Sequence, residues 1–214
     1  MNIKWLGHSC FKLTSEKGTV IVTDPFDESV GYPMPDVKAD IVTSSHSHFD
    51  HNYFKAVKGN FDIVDTVGEH NIKDIKIKGV STFHDEEQGA KRGKNIVFVV
   101  DVDGIKVCHM GDLGHVLTEK QVEEIGSVDV LLIPVGGYYT IDSKQAVEVM
   151  NQLKPKITIP MHYKTEFINF PIDTVDNFLN MTKGKKILST EVDITKKDLE
   201  GEPKVIALNY QYSM

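Results

Sequence analysis

Short apolar runs, broken by glycine or polar residues, fill the first half of the chain. Residues 2–6, 10–13 and 19–23 read as strands of a meander. Asp24-Pro25 stops the third, and Pro25, Gly31, Pro33 and Pro35 make the stretch up to residue 36 a loop. The run Asp40-Ile41-Val42-Thr43 ends in small polar residues, as a buried strand does where it enters a loop. A short helix is expected over 52–57, then strands over 62–66, 72–77 and 80–83. Residues 95–102 and 105–110 form a hairpin across Asp103-Gly104, a pair suited to the positive φ angles of a two-residue turn.

The second half alternates. Thr118 and Gln121 fit a capping box that opens a helix to about residue 125. An apolar strand follows at 129–134. Ser143 caps a helix whose Ala146, Val147, Val149, Met150 and Leu153 share one face, ending at Lys154-Pro155. The pattern continues with a strand at 157–160, a helix near 173–181 that stops at Gly184, and a strand at 186–189. Buried strands alternating with amphipathic helices after an antiparallel start predict an α/β fold (α+β by some schemes), two sheets with helices outside. Nothing along the 214 residues reads as a linker, so one domain over 1–214 is expected.

Composition narrows the function. The apolar fraction of 40% and charged fraction of 26% are ordinary for a globular protein. The longest apolar stretch, 130–135, is too short to cross a bilayer, so no membrane partner is expected. Met1 leads straight into strand-like sequence without a leader-type apolar region, and Cys10 and Cys108 are far apart. Both features predict a cytoplasmic protein with reduced thiols. A net charge of −7 argues against a nucleic-acid partner, since the lysines at 183, 185, 186, 196 and 197 read as solvated surface. A small-molecule substrate is the expected partner, and a homo-oligomer is compatible with everything above.

Against that background stands Ser44-Ser45-His46-Ser47-His48-Phe49-Asp50-His51. Three imidazoles and a carboxylate within six residues form a donor set for borderline-soft divalent metals. Chance produces this pattern roughly once per thousand chains of this length. His84, Asp112 and His162 each follow an apolar run in the same way. One histidine at a strand end is usually a hydrogen-bonded loop residue. Four strand ends delivering His or Asp supply five imidazoles and two carboxylates, about the complement of two adjacent divalent ions.

These residues resemble the metallo-β-lactamase-fold superfamily of metal-dependent hydrolases. Residues 46–51 match its His-x-His-x-Asp-His signature, and His84, Gly111-Asp112 and His162 follow in the order of its later motifs. Gly7-His8-Ser9, Pro134-Val135-Gly136-Gly137 and Pro160-Met161-His162-Tyr163 are similar to the compact branch that includes ascorbate-phosphate lactonases. The resemblance implies a four-layer αβ/βα sandwich. It implies one ion on His46, His48 and His84, a second on Asp50, His51 and His162, and Asp112 bridging. Asp24 would support the site by orienting a ligand histidine. Zinc is the expected metal, with manganese and iron as the other candidates. A shared hydroxide would be the nucleophile, aimed by Asp50, because metal binding lowers water's pKa from 15.7 to about 7.

The remaining polar residues are weaker candidates. His8 and His115 are candidates for lining the pocket or moving a proton, and His109 reads as a packed core residue. His70 reads as a solvated loop residue. Tyr138, Tyr139, Lys164 and Arg92 are candidate substrate contacts, and a phosphate would suit either cation. Asp112 replaces the Cys of the best-known secreted β-lactamases, which argues against antibiotic hydrolysis. The expected reaction is hydrolysis of a small ester, lactone or phosphodiester. The alternatives are a mononuclear iron-dependent thiol or persulfide oxygenase, a metal-dependent nuclease, and a non-catalytic binding module.

Overall fold

In the computed structural model, which describes residues 1–210, the first half of the chain runs β1 (Asn2–Gly7), β2 (Cys10–Thr14), β3 (Val20–Thr23), β4 (Val37–Lys38), β5 (Ile41–Thr43), β6 (Val57–Lys58) and β7 (Asp62–Val64). Next come β8 (Gly68–Ile72), β9 (Ile75–Phe83), β10 (Lys94–Val102), β11 (Ile105–His109) and α1 (Glu119–Ile125). The rest is β12 (Val130–Pro134), α2 (Ser143–Leu153), β13 (Ile157–Met161), α3 (Asp176–Thr182), β14 (Lys185–Lys186), β15 (Glu191–Asp193) and β16 (Lys204–Ala207). One sheet has the order β15-β1-β2-β3-β5-β7, and the other β14-β16-β13-β12-β11-β10-β9-β8; β4 and β6 pair by themselves.

Strand alternation divides the first sheet between two cores. Ile3, Trp5, Phe11, Leu13, Ile21 and Ile41 point into the main core shared with the second sheet. Cys10, Val22 and Val42 point the other way, onto Phe26, Val30, Tyr32 and Ile168. That outer face is covered by loops and short 3-10 turns, whereas all three α-helices pack on the second sheet. Accordingly β12 and β13 are buried along their whole length, between helix and sheet. The result is the α/β sandwich that the sequence implied.

Local details differ from the sequence reading. The break expected between residues 77 and 80 is absent; β9 runs through it, and the turn falls at Lys73-Asp74, with φ of 49° and 65°. Gly79 lies inside the strand because an added Cβ would sit 2.6 Å from the Thr66 carbonyl oxygen, so it serves close approach rather than a turn. His70 consequently lies on β8 instead of in a loop. Helix α2 is capped by Asp142, which accepts from the Lys144 and Gln145 amides, with Ser143 as the first helical residue. The helix over 52–57 is a single 3-10 turn, Phe54–Ala56. Among the described residues no helix is long and apolar enough to cross a membrane.

Candidate metal centre

Strand ends from both sheets meet at one point. β5 gives way to the loop carrying residues 46–51, β9 ends one residue before His84, β11 three before Asp112, and β13 one before His162. Asp112 stands at the centre and is buried. Its Oδ1 is 3.2 Å from His51 Nε2, and its Oδ2 is 3.2 Å from His84 Nε2, 3.4 Å from His162 Nε2 and 3.9 Å from His46 Nε2. His46 Nε2 lies 3.0 Å from His48 Nδ1. Asp50 Oδ2 lies 3.6 Å from His51 Nε2 and 3.2 Å from His8 Nε2.

These spacings test whether metal fits. Donors about 2.0–2.1 Å from a tetrahedral ion lie roughly 3.3 Å from each other, and the contacts just given cluster around that edge. The donors sort into His46, His48 and His84; His46, His51 and Asp112; and His8, Asp50, His51 and His162, each group within 4.8 Å. His51 Nε2 and Asp112 Oδ1 are buried without a hydrogen bond, which is costly for polar atoms unless something else binds them. The chemistry and spacing suit divalent cations. Six of the seven sequence-derived ligand candidates thus surround Asp112 or its neighbours, and His8 joins them.

Second-layer contacts hold the donors in place. Asp24 leaves β3 with φ of 43° and is fully buried. Its Oδ2 lies 2.8 Å from His51 Nδ1 and accepts from the Ser45 hydroxyl, while Oδ1 accepts from the Ser45 amide. Ser45 Oγ is also 2.9 Å from His46 Nδ1. Asn95 donates to the Met110 carbonyl and accepts from the Asp112 amide through Oδ1. Ser45 and Asn95 escaped the sequence reading because their roles depend on contacts across the sheets. The β10 pattern offered one signal, a polar Asn95 at a buried strand position.

Burial, and then the facing imidazole of His162, lowers the His8 pKa to about 4. Burial and then His51 lower that of His46 to about 3. Both are neutral, ligand-ready rings at pH 7. His51 goes the other way. Burial alone would lower its pKa, but Asp112 and Asp50 raise it well above the usual value, so it is protonated while no metal is bound. A cation must displace that proton. Adding zinc to chelator-stripped protein in dilute buffer at pH 7 is expected to release protons, with affinity rising with pH. An indicator dye reads this directly, and zinc uptake without proton release would contradict it.

Of the other candidates, His115 accepts from the Phe83 amide at Nε2 and lies 2.8 Å from the Val116 carbonyl at Nδ1, so both nitrogens are held by backbone. His109 is buried and bound to Ser9 O and the Gly111 amide. Lys164 donates to Phe170 O. Tyr138 is exposed, and Arg92 stacks over the Tyr139 ring at 5.5 Å. Beside the centre a cleft of about 470 Å³ is lined by Ser47, His48, Asn52, Thr66, Val67 and Arg92. Cys10 and Cys108 are buried, and burial raises the pKa of both thiols.

The rim loop after His84 is built on one carboxylate. Asp85 accepts from the amides of Glu87, Gly89, Lys91 and Arg92. Burial opposes the charge, but these amides, Arg92 foremost, bring its pKa to about 2. The folded value lies below the unfolded value of about 3.9, so this stabilisation is complete above that pH and is lost as pH falls through about 2. Asp85→Ala is expected to cost roughly 2 kcal/mol at pH 7, lowering the melting temperature by about 4–8 °C. An unchanged thermal melt would refute that role.

A family model described as a beta-lactamase superfamily domain matches residues 2–162. A UPF0173 metal-dependent hydrolase of Thermoplasma volcanium is 34% identical, over 77% of this chain and 84% of its own. One from Archaeoglobus fulgidus is 31% identical, over 92% and 96%. Among solved structures, a Thermotoga maritima protein, inferred to be a Zn-dependent hydrolase of the metallo-beta-lactamase superfamily, is 49% identical with a TM-score of 0.83, covering 97% of both chains. The isothiocyanate hydrolase from Delia radicum gut bacteria has a TM-score of 0.65 at 14% identity, over 97% of this chain and 95% of its own, a likeness of fold alone.

Proposed function

Because this chain belongs to the metallo-β-lactamase superfamily and is a metal-dependent hydrolase, we propose that it uses two divalent ions, zinc foremost, to hydrolyse a small ester, lactone or phosphodiester. The observation that carries this reading is the convergence of two donor groups on Asp112. His46, His48 and His84 would hold one ion, Asp50, His51 and His162 the other, with Asp112 shared. Two groups support a pair of ions over the single iron of an oxygenase. Bound there, the ions supply Lewis acidity and water acidified to near neutrality.

The chain's residues do the rest. Burial opposes charge on Asp50, but His51 and then His8 hold its carboxyl far below the usual range. A carboxylate that weakly basic orients an attacking water by accepting its hydrogen bond; it does not keep the proton. Asp24 fixes His51 through Nδ1, leaving Nε2 aimed inward. Arg92, braced on Tyr139, gives the cleft a cation able to pair with an acidic group on the substrate. The size of the cleft favours a small molecule over a nucleic-acid chain.

The test is zinc-loaded protein screened against lactones, esters, thioesters and phosphodiesters, with Asp50→Ala as control. Turnover of at least one ester-like class is expected, reduced by about 10²–10³-fold in the variant. Inactivity on every class, or equal turnover by the variant, would reject the reading.

A further inference from the structure

We propose that His8 is a fourth protein ligand to the ion held by Asp50, His51 and His162, so that the two ion sites are chemically unequal. The inference rests on the two-ion reading above and assigns His8 a role in it.

His8 is buried, and its Nε2 lies 3.2 Å from Asp50 Oδ2, a donor–donor edge like that between His51 Nε2 and Asp112 Oδ1. One atom from each of His8, Asp50, His51 and His162 falls within a 4.8 Å group. The His8 ring packs 4.3 Å from the His162 ring. Its nitrogens are disposed like those of His84 and His162: Nε2 faces a carboxylate of the cluster, and Nδ1 is buried without a hydrogen-bond partner.

The backbone is built to present this ring. His8 has φ of 51°, a left-handed conformation that a residue with a Cβ adopts at a cost. The turn is held from two directions, because the His8 carbonyl accepts from the Trp5 indole N–H at 2.9 Å and from the His162 amide at 3.3 Å. Strain held this firmly indicates that the position of the ring is what the turn provides.

The consequence is a division of labour. His46, His48 and His84 offer three imidazoles, four donors with the shared Asp112. His8, Asp50, His51 and His162 offer four donors, five with Asp112. An ion surrounded by more protein donors has fewer positions left for water and substrate and is held more firmly. The ion beside His8 is then the tightly held one, and the ion on the three imidazoles exchanges more readily.

The test uses wild-type protein loaded with ¹¹³Cd and labelled with ¹⁵N at histidine. Once metal analysis gives two cadmium ions per chain, six of the nine imidazoles are expected to show ¹⁵N–¹¹³Cd coupling, His8 among them. Five coupled rings with His8 uncoupled would overturn the inference and leave the two-ion reading intact. Failure to load two ions would overturn both. In parallel, chelator competition on His8→Gln is expected to weaken one ion by more than about 100-fold, beyond the roughly 10–100-fold cost of losing a merely supporting contact, and leave the other unchanged. Wild-type affinity at both sites would overturn the inference, and the coupling experiment decides the question should the variant not fold.

Discussion

Replacing Asp112 with alanine is expected to abolish hydrolysis and ion binding together. Among the described residues it is the carboxylate whose oxygens reach imidazoles of both donor groups: His84 and His46 on one side, His51 and His162 on the other. Altering a residue that merely supports a ligand costs about 10–100-fold, so on the proposed two-ion reading, in which Asp112 is shared, its loss is expected to lower kcat/KM by at least about 10³-fold. The metal-free protein suffers too. Burial works against the Asp112 charge, yet His162 and His51 keep its pKa well below the ordinary range. Breaking a buried ionic contact by removing one partner costs roughly 3–5 kcal/mol. Asp112→Asn preserves the shape and separates the effects: activity should vanish with a smaller loss of stability. Kinetics, metal analysis and melts of the stripped proteins check each part. An Asp112→Ala protein that keeps two ions and a tenth of its activity would sink the assignment.

Gly111→Ala should be nearly as damaging, although glycine binds nothing. Its φ is 54°, and an added Cβ would lie 2.4 Å from Asn95 Oδ1 and 2.5 Å from Ser45 Cβ. Asn95 holds the Asp112 amide, and Ser45 ties Asp24 to His46. The methyl therefore pushes on the supports of three site residues at once. Left-handed backbone costs about 1–2 kcal/mol and overpacking about 1–3 kcal/mol, so a melting temperature lower by roughly 10 °C is expected. Zinc affinity should fall along with it. Gly18→Ala is the control, since Gly18 has φ of 87° but open space around its would-be Cβ. If both variants melt alike and bind zinc alike, the clamp around Gly111 has no special role.

What could be read from the sequence follows physical range. The ligand candidates sit in short motifs at the ends of apolar strands, so type and spacing alone exposed them. The Asp103-Gly104 turn and the Thr118 capping box were equally local, and the structure has both. The misses depend on distant partners. Gly79 looked like a strand break because the Thr66 carbonyl pressing on it is invisible in sequence. β15 and β16 pair with β1 and β13, far away along the chain, and carry little pattern of their own. Ser45 and Asn95 are ordinary polar residues until two sheets bring them together. His8 was noticed, but only the fold places it against Asp50.

The site lies on the seam between the two sheets, with residues 46–51 on one bank and His84, Asp112 and His162 on the other. Backbone bonds from Ile96 N to Ser45 O and from His162 N to His8 O already cross it. Ions bound there would act as rivets through two plates, adding to the packing and hydrogen bonds that already join them. Separating the sheets of the loaded protein would then also break metal–donor contacts, so metal is expected to stabilise the fold by binding the native state alone. Starving such a protein of metal is then expected to lower its stability as well as stop its chemistry.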